Sequence, residues 1–337
     1  MGGVKLAEAD RANFGYTGNR LAIIKDVERA LRGLIKAGYN LRQLALDKHM
    51  NPYQKFVAEF ARLVVEGKSL PLGDIPPQGK PKPAPGAPVA LIFSPHPDDE
   101  CIIGGFALRL MRESGLRIIN VAVTQGSSKD RQQPRLEELQ NACNWLGFDL
   151  EQTAPNGLEK INPQTRVNNP EHWAHAVKVI AASLAKNQPR VIFFPHELDW
   201  NGTHIGTHFL VMDALKTLPA NFQCCLVETE FWGQMPTPNL MVESSAEDVA
   251  DMLAALSFHV GEVQRNPYHL RMPQWMQDNV RRGAELVGGQ GGAAPNFMFA
   301  TLYRLRQWQN GRVGELYSGG RQIGVRDNPG SVFGWNH

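Results

Sequence analysis

The stretch VALIFSPHPDDECIIGG (Val89–Gly105) joins the pattern of a buried strand to a dense group of ionisable residues. Its first five residues are all apolar, which is typical of a strand that is buried on both faces of a sheet. Four ionisable residues follow within a few positions: His96, Asp98, Asp99 and Glu100. In open α/β folds, ligands bind outside the carboxyl ends of the strands. We therefore expect a functional site directly after this strand.

Short β-rich runs alternate with longer segments of helical period beyond residue 88, and this alternation predicts βαβ units. Besides VALIFS, strands are predicted at Arg117–Thr124, Arg190–Pro195 and Phe222–Glu228. The predicted fold class is α/β, with a Rossmann-like, mainly parallel sheet and helices on both faces. The predicted helices are Ile103–Glu113, Arg135–Leu146, Glu171–Lys186, His204–Leu215 and Ala246–Phe258.

The composition argues for a small-molecule partner. The formal net charge is +2, from 35 basic and 33 acidic residues, so no large field favours nucleic acid or an anionic membrane. The four cysteines lack metal-site or disulfide-framework spacing and are expected to be reduced. No signal-peptide pattern and no run of ~18 apolar residues is present. We expect a soluble, cytoplasmic protein that contacts neither nucleic acid nor membrane, with homo-oligomerisation left open.

A second polar cluster, HELDWNGTHIGTH (His196–His208), follows the predicted strand RVIFFP. Because parallel strands end at the same edge of a sheet, this loop is expected to lie beside the first one. Two imidazole nitrogens and a carboxylate with one open position are the arrangement of a hydrolytic zinc site. The simpler interpretation is a solvated acidic turn, with Asp98 or Asp99 as the N-cap of the next helix.

The motifs in these stretches resemble those of the LmbE-like, or PIG-L, family of metal-dependent deacetylases, which remove N-acetyl groups from glucosamine-containing and related substrates. The family motif H-P-D-D-E is matched by residues 96–100, and two glycines follow at 104 and 105. The resemblance implies that His96 and Asp99 bind the metal. It also implies that Asp98 is the general base.

A second family element is a strand ending in T-x-G, followed by a helix that reads R-x-x-E-x-x-x-A-x-x-x-L-G. Residues 123–126 (VTQG) and the helix from Arg135 to Gly147 match it in register. The resemblance implies that Arg135 contacts the substrate, and a guanidinium suits sugar hydroxyl or phosphate oxygens. The alternative is a surface salt bridge with Glu138 or Glu137.

The third family element, D-x-H-P-D-H, aligns with DWNGTH, so that Asp199 is the leading aspartate and His204 the third metal ligand. Asn201 stands where the family has a histidine that polarises the carbonyl. Its amide can donate a hydrogen bond to an oxyanion but cannot carry a proton to a leaving amine. Proton donation would then fall to Asp98 acting twice or to a nearby histidine, and His208, one turn beyond His204, is the catalytic candidate. In a competing assignment, His208 is the ligand and His204 has the vacated catalytic role. His196 is a further candidate for that role.

The resemblance implies a zinc-dependent N-deacetylase acting on an N-acetylated amino sugar or related amide, with Zn²⁺ or another divalent transition metal as cofactor. The alternative is a catalytically silent, metal-containing carbohydrate-binding protein of the same fold, and a weaker one is a magnesium site for phosphate chemistry. Four residues are candidates for a sugar-sized cleft, or for core or rim positions: Trp200, Phe231, Trp232 and Glu230.

The chain is expected to have four regions. Two segments of helical period, Leu21–Ile35 and Tyr53–Val65, indicate a helical N-terminal extension, and a proline-rich run follows it. A further helix is predicted near Pro273–Val287. The regions are the N-terminal extension (1–69), the linker (70–88), the LmbE-like deacetylase core (89–265) and a C-terminal extension packed on the core (266–337).

Overall fold

The computed structural model describes residues 51–76 and 83–334. The chain divides into two compact units, Met1–Glu66 and Gly67–His337. Helix α1 (Pro52–Gly67) begins after Asn51, whose side chain accepts a hydrogen bond from the backbone N–H of Gln54 (2.9 Å). The predicted helix Leu21–Ile35 lies outside the described residues. None of the helices in the described ranges combines the length and apolar character needed to cross a membrane.

The second unit contains a parallel sheet in the predicted position. Its strands run in the order β3-β2-β1-β4-β5, and each pairs in parallel with its neighbour. The Rossmann-like, mainly parallel fold is therefore confirmed. The strand bounds are β1 (Val89–Ser94), β2 (Arg117–Ala122), β3 (Asp149–Gln152), β4 (Val191–Pro195) and β5 (Cys224–Thr229).

Four later strands extend this sheet with mixed direction. β7 lies antiparallel between β5 and β6, β9 pairs in parallel with β6, and β8 pairs with the second half of β7. Residues beyond 265 thus supply strands to the same sheet. The bounds are β6 (Leu240–Ser244), β7 (Phe299–Gln309), β8 (Arg312–Glu315) and β9 (Arg321–Ile323).

Helices cover both faces of the sheet. Successive side chains of β1 point to opposite faces, so each face contributes apolar side chains to its own buried cluster. Ala90 and Ile92 belong to one buried cluster, and Leu91 and Phe93 belong to another. The helices are α2 (Asp99–Ile102), α3 (Phe106–Ser114), α4 (Gln132–Leu146), α5 (Pro163–Asn168), α6 (Pro170–Asn187), α7 (Gly202–Lys216), α8 (Ala246–Ser257), α9 (Val260–Arg265) and α10 (Met272–Leu286). The first cluster includes residues of α3, α4, α8 and α10, and the second includes residues of α6 and α7.

The strand order reverses at β1, which has β2 on one side and β4 on the other. Such a switch point leaves a crevice outside the carboxyl ends of the two flanking strands. The loops after β1 and β4 are the two that carry the polar clusters. All four cysteines are buried and unpaired, as expected for reduced thiols.

Asp213 fixes α7, the helix that follows β4, to the neighbouring helices. Its carboxylate accepts hydrogen bonds from Arg166 Nε (2.8 Å) and Trp173 Nε1 (3.0 Å). Burial raises the pKa of Asp213, but these donors outweigh burial and hold the pKa below its ordinary value. The stabilisation is therefore complete above the unfolded-state pKa of about 3.9 and is lost as the pH falls through the lower folded-state pKa.

We expect Asp213→Asn to lower the free energy of unfolding by about 1–3 kcal/mol at neutral pH, because charged hydrogen bonds are lost. Thermal melting at pH 7 and pH 3 checks this. The loss should shrink at the lower pH. Asp278→Asn removes an exposed pair with Arg281 and serves as the control, with no comparable change. An equal loss for both variants would contradict the prediction.

Candidate active site

The loop after β1 folds back on itself through its own carboxylates. His96 donates its backbone N–H to Asp99 Oδ2 (2.8 Å), and Asp98 donates its backbone N–H to Glu100 Oε2 (3.0 Å). Asp98 has φ 114°, in the left-handed region, and occupies the N-cap position of α2 without a capping hydrogen bond from its side chain. The carboxylate of Asp98 therefore does not cap the helix and is available for other contacts.

Three side-chain atoms of the kinds that bind metals converge at the switch point, from the segments that follow β1 and β4. His204 Nε2 lies 3.3 Å from Asp99 Oδ2 and 3.3 Å from His96 Nδ1, while His96 Nδ1 lies 3.5 Å from Asp99 Oδ2. Asp99 and His204 are buried, and His96 is partly exposed to the cavity in front of them. Sequence reasoning proposed these three residues as ligands, and the fold brings them together.

The spacing of these atoms fits a small divalent cation. Ligands about 2.0–2.1 Å from a tetrahedral zinc ion are separated from each other by about 3.3 Å. Asp99 Oδ1 is buried and has no hydrogen-bond partner. Burial raises the pKa of Asp99, but the two histidines outweigh it and hold the pKa well below its ordinary range. The donor set of two imidazoles and one ionised carboxylate is the set that zinc prefers in hydrolytic sites.

A buried carboxylate lies behind His204. The histidine's Nδ1 lies 3.7 Å from Asp199 Oδ2, and its ring meets the Phe231 ring edge-on at 4.8 Å. Burial lowers the pKa of His204, but Asp99 and Asp199 raise it to about 10. That strong negative field favours a positive charge at Nε2, which a bound cation would supply. A carboxylate behind a ligand histidine is a common way to fix its ring and tautomer.

Asp98 lies beside this group but is not part of it. Burial, together with the charge of Asp99, raises the pKa of Asp98 to about 7. Tyr268 Oη donates a hydrogen bond to Asp98 Oδ2 over 2.6 Å. Asp98, His96 and Asp99 all line the same cavity.

The cavity in front of these residues has a volume of about 680 Å³, which is large enough for a sugar-sized ligand. Trp200 and Trp232 line it, as sequence reasoning suggested, and Trp200 is 79% exposed. Phe231 packs on His204 instead, and Glu230 forms a buried ion pair with Arg282. The lining also includes polar residues from three other segments: Ser127, Ser128, Arg131, Arg135, Glu262, Arg265 and Asn266.

Arg135 reaches the cavity from α4 and contacts the loop after β1. Its Nη2 donates to the backbone carbonyl of Pro97 (3.2 Å), and its Nε lies 3.9 Å from Glu262 Oε1. The side chain is 13% exposed, so it is not a surface residue. The alternative pairing with Glu138 or Glu137 is not the one found.

Asn201 also lines the cavity, at the N-terminus of α7. Its Oδ1 accepts a hydrogen bond from the backbone N–H of Thr203 (2.8 Å), which makes Asn201 the N-cap of the helix. The donor that remains on the side chain is Nδ2.

The two other candidate histidines are engaged elsewhere. His208 Nδ1 lies 2.9 Å from the carbonyl oxygen of Pro195 and 3.6 Å from Glu228 Oε1, and His208 is not among the residues that line the cavity. His196 Nε2 contacts the carbonyl oxygen of Gly233 (2.8 Å) and its Nδ1 accepts from the backbone N–H of Leu198 (3.3 Å). The structure does not bring either ring to the three converging ligand atoms.

Three residues near the site were not singled out from the sequence. They are Tyr268 on the carboxylate of Asp98, Glu262 on the cavity wall, and His259, whose Nε2 lies 2.7 Å from Glu100 Oε1. All three lie between α8 and α10, in a stretch without a recognisable motif. Only the fold reveals that this segment borders the cavity.

The fold and the site together define a Rossmann-like α/β protein with a candidate metal centre at the switch point of its parallel sheet. Residues 91–215 match the model of the PIG-L family, which is described as GlcNAc-PI de-N-acetylase. Residues 91–215 are therefore similar to the PIG-L, or LmbE-like, family, and the resemblance predicted from the motifs is confirmed. No curated protein sequence matches the chain significantly.

Three solved structures resemble this chain at low sequence identity. The conserved protein TT1542 from Thermus thermophilus is 19% identical with a TM-score of 0.50, over 65% of this chain and 94% of that one. The N,N'-diacetylchitobiose deacetylase from Pyrococcus horikoshii is 17% identical (65% and 84% covered, TM-score 0.48). GalB, the 4-carboxy-2-hydroxymuconate hydratase from Pseudomonas putida, is 16% identical (65% and 95%, TM-score 0.47). The likeness to TT1542, at 19% identity and a TM-score of 0.50, concerns the fold alone.

Proposed function

We propose that this protein is a zinc-dependent hydrolase that deacetylates an N-acetylated amino sugar or a related amide. The observation that carries the proposal is the convergence of His96 Nδ1, Asp99 Oδ2 and His204 Nε2 beside the carboxylate of Asp98, in a sugar-sized cavity. The similarity to the PIG-L family supports deacetylation as the reaction.

In this proposal His96, Asp99 and His204 hold the cation. Zinc, or another divalent transition metal, would polarise the amide carbonyl and acidify water in the cavity. Asp98 accepts the proton of the attacking water, because its carboxylate borders the cavity and is not one of the three converging ligands. Asp98 then delivers a proton to the leaving amine, since no histidine stands in the place of Asn201. The products are acetate, or another small acid, and an amine.

Asn201 contributes a hydrogen bond to the oxyanion in this mechanism. Its Oδ1 is occupied by the helix cap, so Nδ2 is the group that can donate. An amide donor stabilises negative charge but transfers no proton. In this respect Asn201 differs from the histidine of the family motif. His208 is given no role, because its ring bonds to Pro195 and faces Glu228.

Arg135 and the two tryptophans form the binding side of the cavity. A guanidinium donates to hydroxyl or anionic oxygens, and aromatic faces pack against the apolar faces of sugar rings. The small-molecule substrate proposed here is therefore an N-acetylated amino sugar or glycoconjugate. Which member of that class is the substrate depends on the substrate groups that Arg135 and the neighbouring cavity residues contact.

We expect Arg135→Gln to raise KM about 10- to 100-fold, as loss of a charged hydrogen bond predicts. The kcat should change less, because Arg135 takes no part in the proton transfer in this mechanism. Steady-state kinetics of amine release check the expectation. Arg117→Gln is the control, since it removes an exposed pair with Asp149 away from the cavity. A KM unchanged from the wild type would contradict the assignment.

The function itself is tested by amine release from a panel of N-acetylated amino sugars and glycoconjugates, using protein whose bound metal has been quantified. Metal-dependent release of amine and acetate is expected for at least one member. Bound zinc without turnover on any member would favour the alternative, a catalytically silent carbohydrate-binding protein. Turnover that requires magnesium and phosphate groups would contradict the proposal.

A further inference from the structure

Tyr268 makes a short hydrogen bond to the proposed general base from outside the family-matched residues. Its Oη lies 2.6 Å from Asp98 Oδ2, and Tyr268 lines the cavity. The match to the PIG-L family covers residues 91–215, so it assigns nothing to this tyrosine. Tyr268 belongs to a short 3₁₀ turn, Tyr268–Arg271, that follows α9.

Local contacts hold the phenol in place. The backbone N–H of Tyr268 donates to the carbonyl oxygen of Asn266 (2.7 Å), and the ring meets the Trp232 ring edge-on, with centroids 5.6 Å apart. Burial and the nearby charge of Asp98 raise the pKa of Tyr268 above its ordinary value. The phenol therefore stays protonated and acts as the donor in this pair.

The backbone of Asp98 adopts an unfavourable conformation, which neighbouring side chains hold in place. Asp98 is a non-glycine residue with φ 114°, a conformation that L-residues rarely adopt and that strains the backbone. Its backbone N–H is held by Glu100 Oε2, and Glu100 Oε1 is in turn 2.7 Å from His259 Nε2. Residues 259–268 thus hold Asp98 in two ways, through Glu100 on the backbone and through Tyr268 on the side chain.

We propose that Tyr268 is a positioning residue that fixes one oxygen of Asp98 so that the other oxygen faces the water to be deprotonated. The proposal rests on the proposed function of Asp98. A positioning role would give a function to Tyr268, which lines the cavity although it lies outside the family-matched residues. A general base that must be aligned with its substrate loses rate when it can rotate.

The test is the kinetics of Tyr268→Phe, which keeps the ring and its packing on Trp232 but removes the hydroxyl. We expect kcat to fall about 10- to 100-fold, with KM, zinc content and Tm close to the wild-type values. Tyr317→Phe is the matched control, because it also removes one hydrogen bond, to the carbonyl oxygen of Asn239 (3.2 Å), away from the cavity. That variant should retain the kcat of the wild type.

A kcat of Tyr268→Phe equal to that of the wild type would overturn the proposal. A loss of rate explained by lost zinc, lower Tm or a proportionate rise in KM would overturn it too. Crystal structures of the wild type and of Tyr268→Phe give a readout that needs no turnover. The Asp98 carboxylate should rotate or lose order in the variant, and an unmoved carboxylate would reject the positioning role even if the substrate were still unknown. Failure of the wild type on every amide tested would instead count against the proposed function.

Discussion

Asp98→Asn is expected to lower kcat at least about a hundredfold while zinc remains bound, because general-base catalysis contributes about 10²–10⁴ in rate. Asparagine is nearly isosteric and tolerates left-handed backbone, so the loop after β1 should keep its conformation. Its Oδ1 can still accept from Tyr268. The measurement is amine release at saturating substrate, together with zinc content.

The control for this variant is Asp278→Asn, which makes the same chemical change at an exposed position of α10. It should keep full activity. If Asp98→Asn retained more than about a tenth of the wild-type kcat, Asp98 would not be the base. A variant that lost both zinc and activity would indicate that Asp98 serves the metal instead.

His204→Ala is expected to abolish both zinc binding and turnover, because it removes a buried nitrogen donor of the proposed site. Changes to the outer partners of ligand histidines already cost about 10- to 100-fold in metal affinity, and loss of a ligand should exceed this. Equilibrium dialysis with zinc measures the affinity directly. The substitution also leaves Asp99 and Asp199 buried without the histidine between them, so Tm should be recorded alongside it.

Two other histidines provide matched comparisons. His172→Ala removes a half-buried histidine of α6, whose Nε2 contacts the carbonyl oxygen of Glu159 (2.8 Å), and should change neither zinc affinity nor rate. His208→Ala tests the competing assignment, in which His208 is the ligand and His204 the catalytic residue. We expect His208→Ala to keep its zinc. Loss of zinc from that variant, with retention by His204→Ala, would reverse the assignment.

The sequence predicted the part of the fold that depends on local pattern. VALIFS and RVIFFP are apolar runs followed by ionisable residues, and both became central strands with site loops at their carboxyl ends. The edge strand β3 (Asp149–Gln152) has no apolar run and was not predicted. β7 was not predicted either, because Arg304 and Arg306 interrupt its pattern; their charges are paired with Glu228 on β5. Such pairing is a tertiary property that the local sequence does not show.

The candidate site likewise contains some residues that local motifs predicted and others that they did not. His96, Asp99 and His204 stand in motifs, so their convergence could be predicted. The difference between His204 and His208 depends on the direction of each ring from α7, which the spacing of four residues alone left open. Tyr268 and His259 come from a stretch whose residues carry no local signal. They meet Asp98 and Glu100 only because α8 and α9 return the chain to the end of β1.

Zinc dependence of the proposed deacetylation is tested by stripping the protein of metal and following amine release as zinc is added back in measured equivalents. We expect no release from the stripped protein and a rise that levels off at about one zinc per chain. Amine release that persists in the stripped protein, or protein that binds no zinc, would contradict zinc dependence.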